Sequence, residues 1–313
     1  MYERLLAKVA HYYYIKEMSQ RDIAAVLSLS YAKVSRMLVE AKRLGMVQVS
    51  IKYPLDTDQF LEDEFEKIFG LREVIIVKTS PGNRMELIGQ AGANYLQRVS
   101  TSKDVIGISW GNTVYHVVNQ LPTLQKKDIK VVQMLGSLSG GGQNIRAIEL
   151  AKRLSQIYNT EPNILYCPAV VVNKSVKKGL IEDTSIKQVM DLWNQISIAI
   201  VGIGSVSMES PLFRDYHLNT EWCDYLSGRD AVGDICMRFF DESGEPCADK
   251  LDDVLMGIEF SQLKNVNTVV CAAGGLEKVK AIVGALRSGI PDILISDYET
   301  ANEILRLVKN GQI

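Results

Sequence analysis

The chain has 313 residues, 47% of them hydrophobic and 23% charged, with a net charge of −2. Such a length and balance suit one large globular domain or two, and exclude collagen-like, low-complexity and disulfide-stapled classes. No apolar run approaches the roughly 20 residues that cross a bilayer. The opening MYERLLAKVAHYYY has no basic flank, apolar stretch and small-residue cleavage site in sequence, so it does not read as a secretory leader. The five cysteines (Cys167, Cys223, Cys236, Cys247, Cys271) are scattered and never spaced as CxxC. They read as reduced, mostly buried thiols of a cytoplasmic protein, with no zinc site.

Charge is unevenly spread. Residues 1–53 hold nine Lys/Arg against four Asp/Glu, and the remainder is acidic. A basic cap on an acidic body suits a module that meets a polyanion, although a basic solvated face would look the same by charge alone.

The first periodic segment, about Tyr2 to Glu17, predicts a helix with Leu5, Val9, Tyr12 and Tyr13 on its apolar side. Ser19 followed by Asp22 matches a capping pattern, and Ile23, Ala24 and Leu27 continue at helical spacing. Only Ser28 and Leu29 separate this segment from a second N-cap candidate, Ser30. That cap opens a helix through Leu44 with Val34, Met37, Leu38, Ala41 and Leu44 facing inward and Gly45 ending it. MVQVSI then alternates as a strand would, which suggests a wing. Three helices with so short a turn between the last two make a helix-turn-helix.

A recognition helix enters the major groove by its N-terminal residues. The base-reading candidates are therefore Tyr31, Ala32, Lys33, Ser35 and Arg36. Gln20 and Arg21, at the start of the preceding helix, are placed to hold phosphate. An ordinary three-helix bundle with a solvated basic face is the plain alternative.

Residues 55–70 predict an acidic amphipathic helix with Phe60, Leu61, Phe65 and Phe69 or Ile68 on its apolar side, linking module to body. Beyond it, the β-branched runs EVIIVK, DVIGIS, IKVVQML, NILYCPAVVV, ISIAIVGIG, VNTVVCAAGG and DILIS alternate with helical segments near 84–99, 112–121, 143–158 and 277–288. That alternation implies a doubly wound, largely parallel sheet. The fold class is thus α/β, with a winged helix-turn-helix domain over 1–53 and an effector and oligomerisation domain over 54–313, of which 54–70 is the linker helix.

Ligands of such sheets sit beyond the carboxyl ends of the strands. Four strand ends here are rich in small residues: 107–113, 135–144, 202–207 and 272–278. Glycine lets backbone N–H groups approach an anion, and Lys278, just after Gly274-Gly275, could pair with a phosphate. Asp234 precedes the apolar run ICMRFF, where a carboxylate needs partners. Sugar hydroxyls would serve, and so would backbone N–H groups.

Residues Ser19-Gln20, Ile23-Ala24, Leu27, Ser30, Val34-Ser35-Arg36, Leu38, Ala41, Gly45 and Val47 resemble the DNA-binding module of SorC-type sugar-responsive transcriptional regulators. The segments VIGISWGNT, VVQMLGSL, IVGIGSV, GDICMRFFDESGEP and VVCAAGGLEKVKAIVGALRSGIPDILISDYETA follow in that family's order, so the resemblance spans nearly the whole chain. It implies a body related to the phosphosugar-isomerase and CoA-transferase fold, a sugar phosphate or polyol phosphate as effector, operator DNA as partner and a homotetramer. It further implies that Asn112, Thr113, Ser137, Asn144, Asp234 and Lys278 are the effector-binding residues. The chain departs from the family at Asn112, where a basic residue or Thr is frequent, and at Met237, where Gly is.

GISWG superficially resembles a nucleophile elbow around Ser109, but that chemistry needs an acid and a histidine in order, and His11, His116 and His217 are isolated. The expectation is a carbohydrate-operon regulator, repressor or activator, with no catalytic residue, no metal and no cofactor. A phosphosugar isomerase-like enzyme fused to a DNA-binding module is the alternative.

Overall fold

Two units account for the chain, Met1–Pro54 and Leu55–Ile313. The computed structural model describes residues 2–48, 58–80, 82–124, 128–138, 147–207, 212 and 220–313. In the first unit, α1 (Tyr2–Tyr14), α2 (Gln20–Leu27) and α3 (Tyr31–Arg43) bury Leu6, Val9, Ile23, Ala24, Val34, Met37 and Leu38 against one another. Ser19 Oγ accepts from the Asp22 N–H at 3.2 Å, and Ser30 Oγ accepts from the Lys33 N–H at 3.3 Å. Both helices therefore start where the caps predict. Ser28, in the left-handed region at φ 52°, lets the chain turn within two residues.

One expectation fails here, and another is left largely untested. Leu44 is 48% exposed because α3 ends at Arg43 and Leu44 caps it from outside the apolar stripe. The wing strand falls mostly outside the described residues, and 46–48 carry no strand.

The second unit is built on a seven-stranded sheet, wholly parallel, in the order β1-β10-β9-β5-β2-β3-β4. Its strands are β1 (Glu73–Val77), β2 (Val105–Ile108), β3 (Lys130–Gln133), β4 (Pro162–Asn163), β5 (Ile198–Gly202), β9 (Thr268–Ala272) and β10 (Ile293–Asp297). Side chains alternate between two cores. Ala199, Val201, Val269 and Cys271 join one, and Ile198, Ile200, Val270 and Ala272 the other. Burial on both faces explains why these strands read as unbroken apolar runs.

The covering helices include α4 (Gln59–Phe69), α5 (Arg84–Val99), α6 (Asn112–Gln120), α7 (Ala147–Tyr158), α8 (Lys174–Glu182) and α9 (Thr184–Trp193). Later come α10 (Thr220–Ser227), α11 (Asp249–Asp252), α12 (Phe260–Lys264), α13 (Val279–Arg287) and α14 (Tyr298–Lys309). A small antiparallel sheet, β6 (Gly204–Ser205), β7 (Gly233–Ile235) and β8 (Arg238–Phe240), stands between β5 and β9 in sequence.

Helix α4 does more than link. Edge strand β1 leaves alternate N–H groups without a strand partner, and α4 supplies carboxylates to them. Glu66 Oε1 accepts from Val74 N at 3.0 Å and Glu62 Oε1 from Ile76 N at 2.9 Å. Leu61 and Phe65 are buried beneath, whereas Phe60, expected on that side, is 68% exposed at the first turn. Burial, ahead of neighbouring carboxylates, raises the pKa of Glu62. NILYCPAVVV is also not one strand. Pro168 interrupts it, and beyond β4 only single bridges form, Ser137 to Pro168 and Val170 to Leu255.

Candidate functional site

On the first unit, Tyr31, Ala32, Lys33 and Arg36 are exposed along the N-terminal half of α3, with Ser35 half-buried beside them. Arg36 Nε donates to the Ala32 carbonyl at 3.2 Å, which fixes the side chain along its own helix. Arg21 is exposed at the start of α2. Gln20 is half-buried, and its Oε1 is out of solvent without a partner among the described residues, so Arg21 is the freer of the two phosphate candidates.

On the second unit, the order in which strands are added to the sheet reverses between β2 and β5. The path runs from β2 outward through β3 to β4, then resumes at β5 on the other side of β2 and proceeds through β9 to β10. Crevices form at such switch points. Asn112, Thr113, Ser137 and Lys278 follow the carboxyl ends of β2, β3 and β9 around this one, and Asp234 stands in β7, paired with the segment that follows β5.

Asn112 and Thr113 open α6 directly after β2, behind Gly111 at φ 126°. Asn112 is exposed, whereas Thr113 is buried and its hydroxyl donates to Met85 Sδ at 3.7 Å. The Thr113 hydroxyl is thus engaged in the packing of α5 on α6. Ser137 lies just past β3. Its N–H donates to Cys167 O and its carbonyl accepts from Ala169 N, both at 2.8 Å, while its Oγ is buried without a partner among the described residues. Asn144 lies outside the described residues.

Asp234 and Lys278 come together across β6. Lys278 Nζ donates to the Ile203 carbonyl at 2.9 Å. The next residue, Gly204, pairs with Asp234, and a Cβ there would collide with the Asp234 carboxylate. Asp234 is 6% exposed, and its Oδ2 accepts from Met237 N at 2.9 Å. Burial pushes the Asp234 carboxyl up to about 6, against the opposing pull of the Met237 N–H and the Lys278 charge. Burial likewise lowers the Lys278 ammonium, with Glu277 and Asp234 opposing it. A buried acid and a half-buried lysine, held near each other but not paired, make a site that a polar, anionic guest would complete.

Sequence reasoning overlooked two supports. Arg238 is fully buried in β8, where Nε donates to Ile258 O at 2.9 Å and the terminal nitrogens to Gly257 O and Asp252 Oδ1, each at 2.8 Å. Asp297 caps α14 and also accepts from the Gly275 N–H at 3.1 Å, which fixes the loop before Lys278. A lone arginine inside ICMRFF was the available signal for the first. Ser109, the would-be nucleophile, is buried, and its hydroxyl donates to the Trp110 carbonyl at 3.3 Å. Among the described residues no cluster of His, Cys, Asp and Glu could hold a metal, and no helix is long and apolar enough to cross a membrane.

Residues 53–306 match the family model of a sugar-binding domain, Sugar-bind. The deoxyribonucleoside regulator of Bacillus subtilis (strain 168) is 32% identical over 306 residues, covering 97% of both chains. The full-length sorbitol operon regulator SorC of Klebsiella pneumoniae superposes with a TM-score of 0.76 at 28% identity, over 96% of this chain and 98% of that one. A DeoR family transcriptional regulator from Listeria monocytogenes gives 0.73 at 30% identity, over 79% and 98%. These relatives are regulators, not enzymes, and the first two cover nearly the whole chain, helix-turn-helix as well as sheet. The chain belongs to the SorC-type family of transcriptional regulators that carry the sugar-binding domain.

Proposed function

We propose that this regulator controls a carbohydrate-utilisation operon in response to a phosphorylated sugar or polyol. The effector binds at the β2–β5 switch point and alters operator binding by the helix-turn-helix. The observation that carries this reading is the Asp234–Lys278 pair flanking Ile203–Gly204, an acceptor for hydroxyls and a cation for a phosphate within one site. Ser137 Oγ and the N-terminal N–H groups of α6 add donors beside it. The named relatives point the same way, since two are regulators of sorbitol and deoxyribonucleoside systems.

Recognition helices read half-sites in pairs, so the working form is a symmetric oligomer, for which we propose a cytoplasmic homotetramer. A ligand shifts DNA affinity only by binding the competent and incompetent arrangements unequally. The test is a thermal-shift screen against sugar phosphates and their unphosphorylated counterparts, followed by sedimentation of the protein with the best hit. Stabilisation by a sugar phosphate and not by its parent sugar is expected. Uniform indifference to every phosphorylated compound would reject the reading.

A further inference from the structure

Helix α1 carries a feature that the recognition face does not use. The ammonium groups of Lys8 and Lys16 stand 5.6 and 5.1 Å from the centroid of the same Tyr12 ring. Both lysines are exposed, and Tyr12 is half-buried against the core of the unit. No ion pair among the described residues engages either lysine. Two cations gathered on one ring repel each other, and the ring quadrupole offsets only part of that repulsion at an exposed site. An anion bound at the ridge would complete the arrangement.

The position of the ridge says which anion. The chain reverses at Glu17, which is left-handed at φ 53°, and Met18 N donates back to the Tyr12 carbonyl at 3.0 Å. Met18 immediately precedes Ser19, the N-cap of α2. The lysine ridge therefore ends at the helix start that carries Arg21, whose exposed N–H groups and charge suit a phosphate. In the homeodomain, another three-helix module with a helix-turn-helix, the loop between the first two helices contacts the backbone of the duplex.

We propose that Lys8 and Lys16, arrayed on Tyr12, form a second row of contacts to the phosphate backbone of duplex DNA. The row positions the module and reads no bases. This rests on the reading that the helix-turn-helix binds DNA, and it adds residues to the interface beyond Gln20 and Arg21.

The test measures binding of the full-length protein to a random-sequence duplex of about 30 base pairs across a series of salt concentrations. Each phosphate contact contributes a slope of roughly 0.9 in log affinity against log salt, so Lys8→Ala/Lys16→Ala should flatten the slope by about 1.8. Lys8→Arg/Lys16→Arg, which keeps both charges and the ring contact, should restore it. Arg21→Ala serves as the benchmark for a single phosphate contact. A double alanine variant with the wild-type slope, measured where Arg21→Ala flattens it, would overturn the lysine ridge alone. Failure of the wild-type protein to bind any duplex would instead overturn the reading on which the ridge rests.

Discussion

The Asp234 carboxylate reaches forward to the Met237 N–H at 2.9 Å, closing a two-residue turn in which Cys236 and Met237 stand at φ 55° and 60°. That left-handed pair favours Asn-Gly, and side chains with a Cβ adopt it at a cost of about 1–2 kcal/mol each. Here the strain is held by an acid that is itself costly to bury. The Asp234 carboxylate is thus fixed by the hairpin it stabilises, and it lies within the field of Lys278 across β6.

Asp234→Asn should therefore separate stability from response. The native carboxyl titrates near 6 against an ordinary value of 3.8 because it is buried. The folded state then holds more protons than the unfolded chain between those values. The stability this contributes is complete below about 4 and is lost as pH rises through about 6, a difference on the order of 3 kcal/mol. Asn keeps an acceptor for Met237 and carries no charge. We expect urea denaturation to show a gain of roughly 1–3 kcal/mol at pH 7.5, a flatter profile between pH 4 and 6.5, and a blunted effector response. A wild-type profile that does not fall across this window would refute the assignment.

Lys278→Met should bind DNA like the wild type and cease to answer its effector. Removing one charge-assisted contact costs roughly 1.5–3 kcal/mol, or about 10- to 150-fold in the half-maximal effector concentration. The fold should survive, since among the described residues the ammonium donates only to the Ile203 carbonyl, and burial already lowers its pKa. An unchanged midpoint for operator release would remove Lys278 from the site.

Arg36→Ala should weaken operator binding and relax preference at one base pair, by roughly 1–3 kcal/mol if its terminal nitrogens read a guanine. Arg21→Ala should weaken all sequences alike. Equal losses for both variants on operator and random duplex would show that the recognition face has been misassigned.

Glu62→Ala should leave the Ile76 N–H unpaired under α4 and destabilise the second unit by about 1–3 kcal/mol. Glu62→Gln keeps the acceptor and should cost less. Thermal denaturation of the two variants checks the order, and equal loss would mean that the carboxylate is not acting as the acceptor for the strand edge.

How much of this was legible in the sequence differs from element to element. The caps Ser19 and Ser30 and the runs that became β1, β2, β5, β9 and β10 could be read directly, because local hydrogen bonding and burial on both faces leave strong patterns. The β7–β8 hairpin could not, since Cys236-Met237 carries no turn signature and is held by a side chain from outside the turn. Glu62 and Glu66 carry no mark that sets them apart from the other acidic residues of the amphipathic 55–70 segment. Only the unpaired edge of β1, formed by strands distant in sequence, turns them inward. Of the effector candidates, Asp234 and Lys278 were marked by charge beside apolar or glycine-rich segments. That Thr113 spends its hydroxyl on Met85 follows from the packing of α5 on α6, which no spacing reveals.

The most direct test of the account follows the fluorescence anisotropy of DNA from upstream of the gene, bound to the full-length protein, during titration with a sugar phosphate chosen by thermal shift and with its unphosphorylated parent. The account predicts a change of about 10-fold or more in DNA affinity with the phosphorylated compound, little with the parent sugar, and neither in Lys278→Met. DNA affinity that responds equally to both compounds, or that still responds in Lys278→Met, would contradict it.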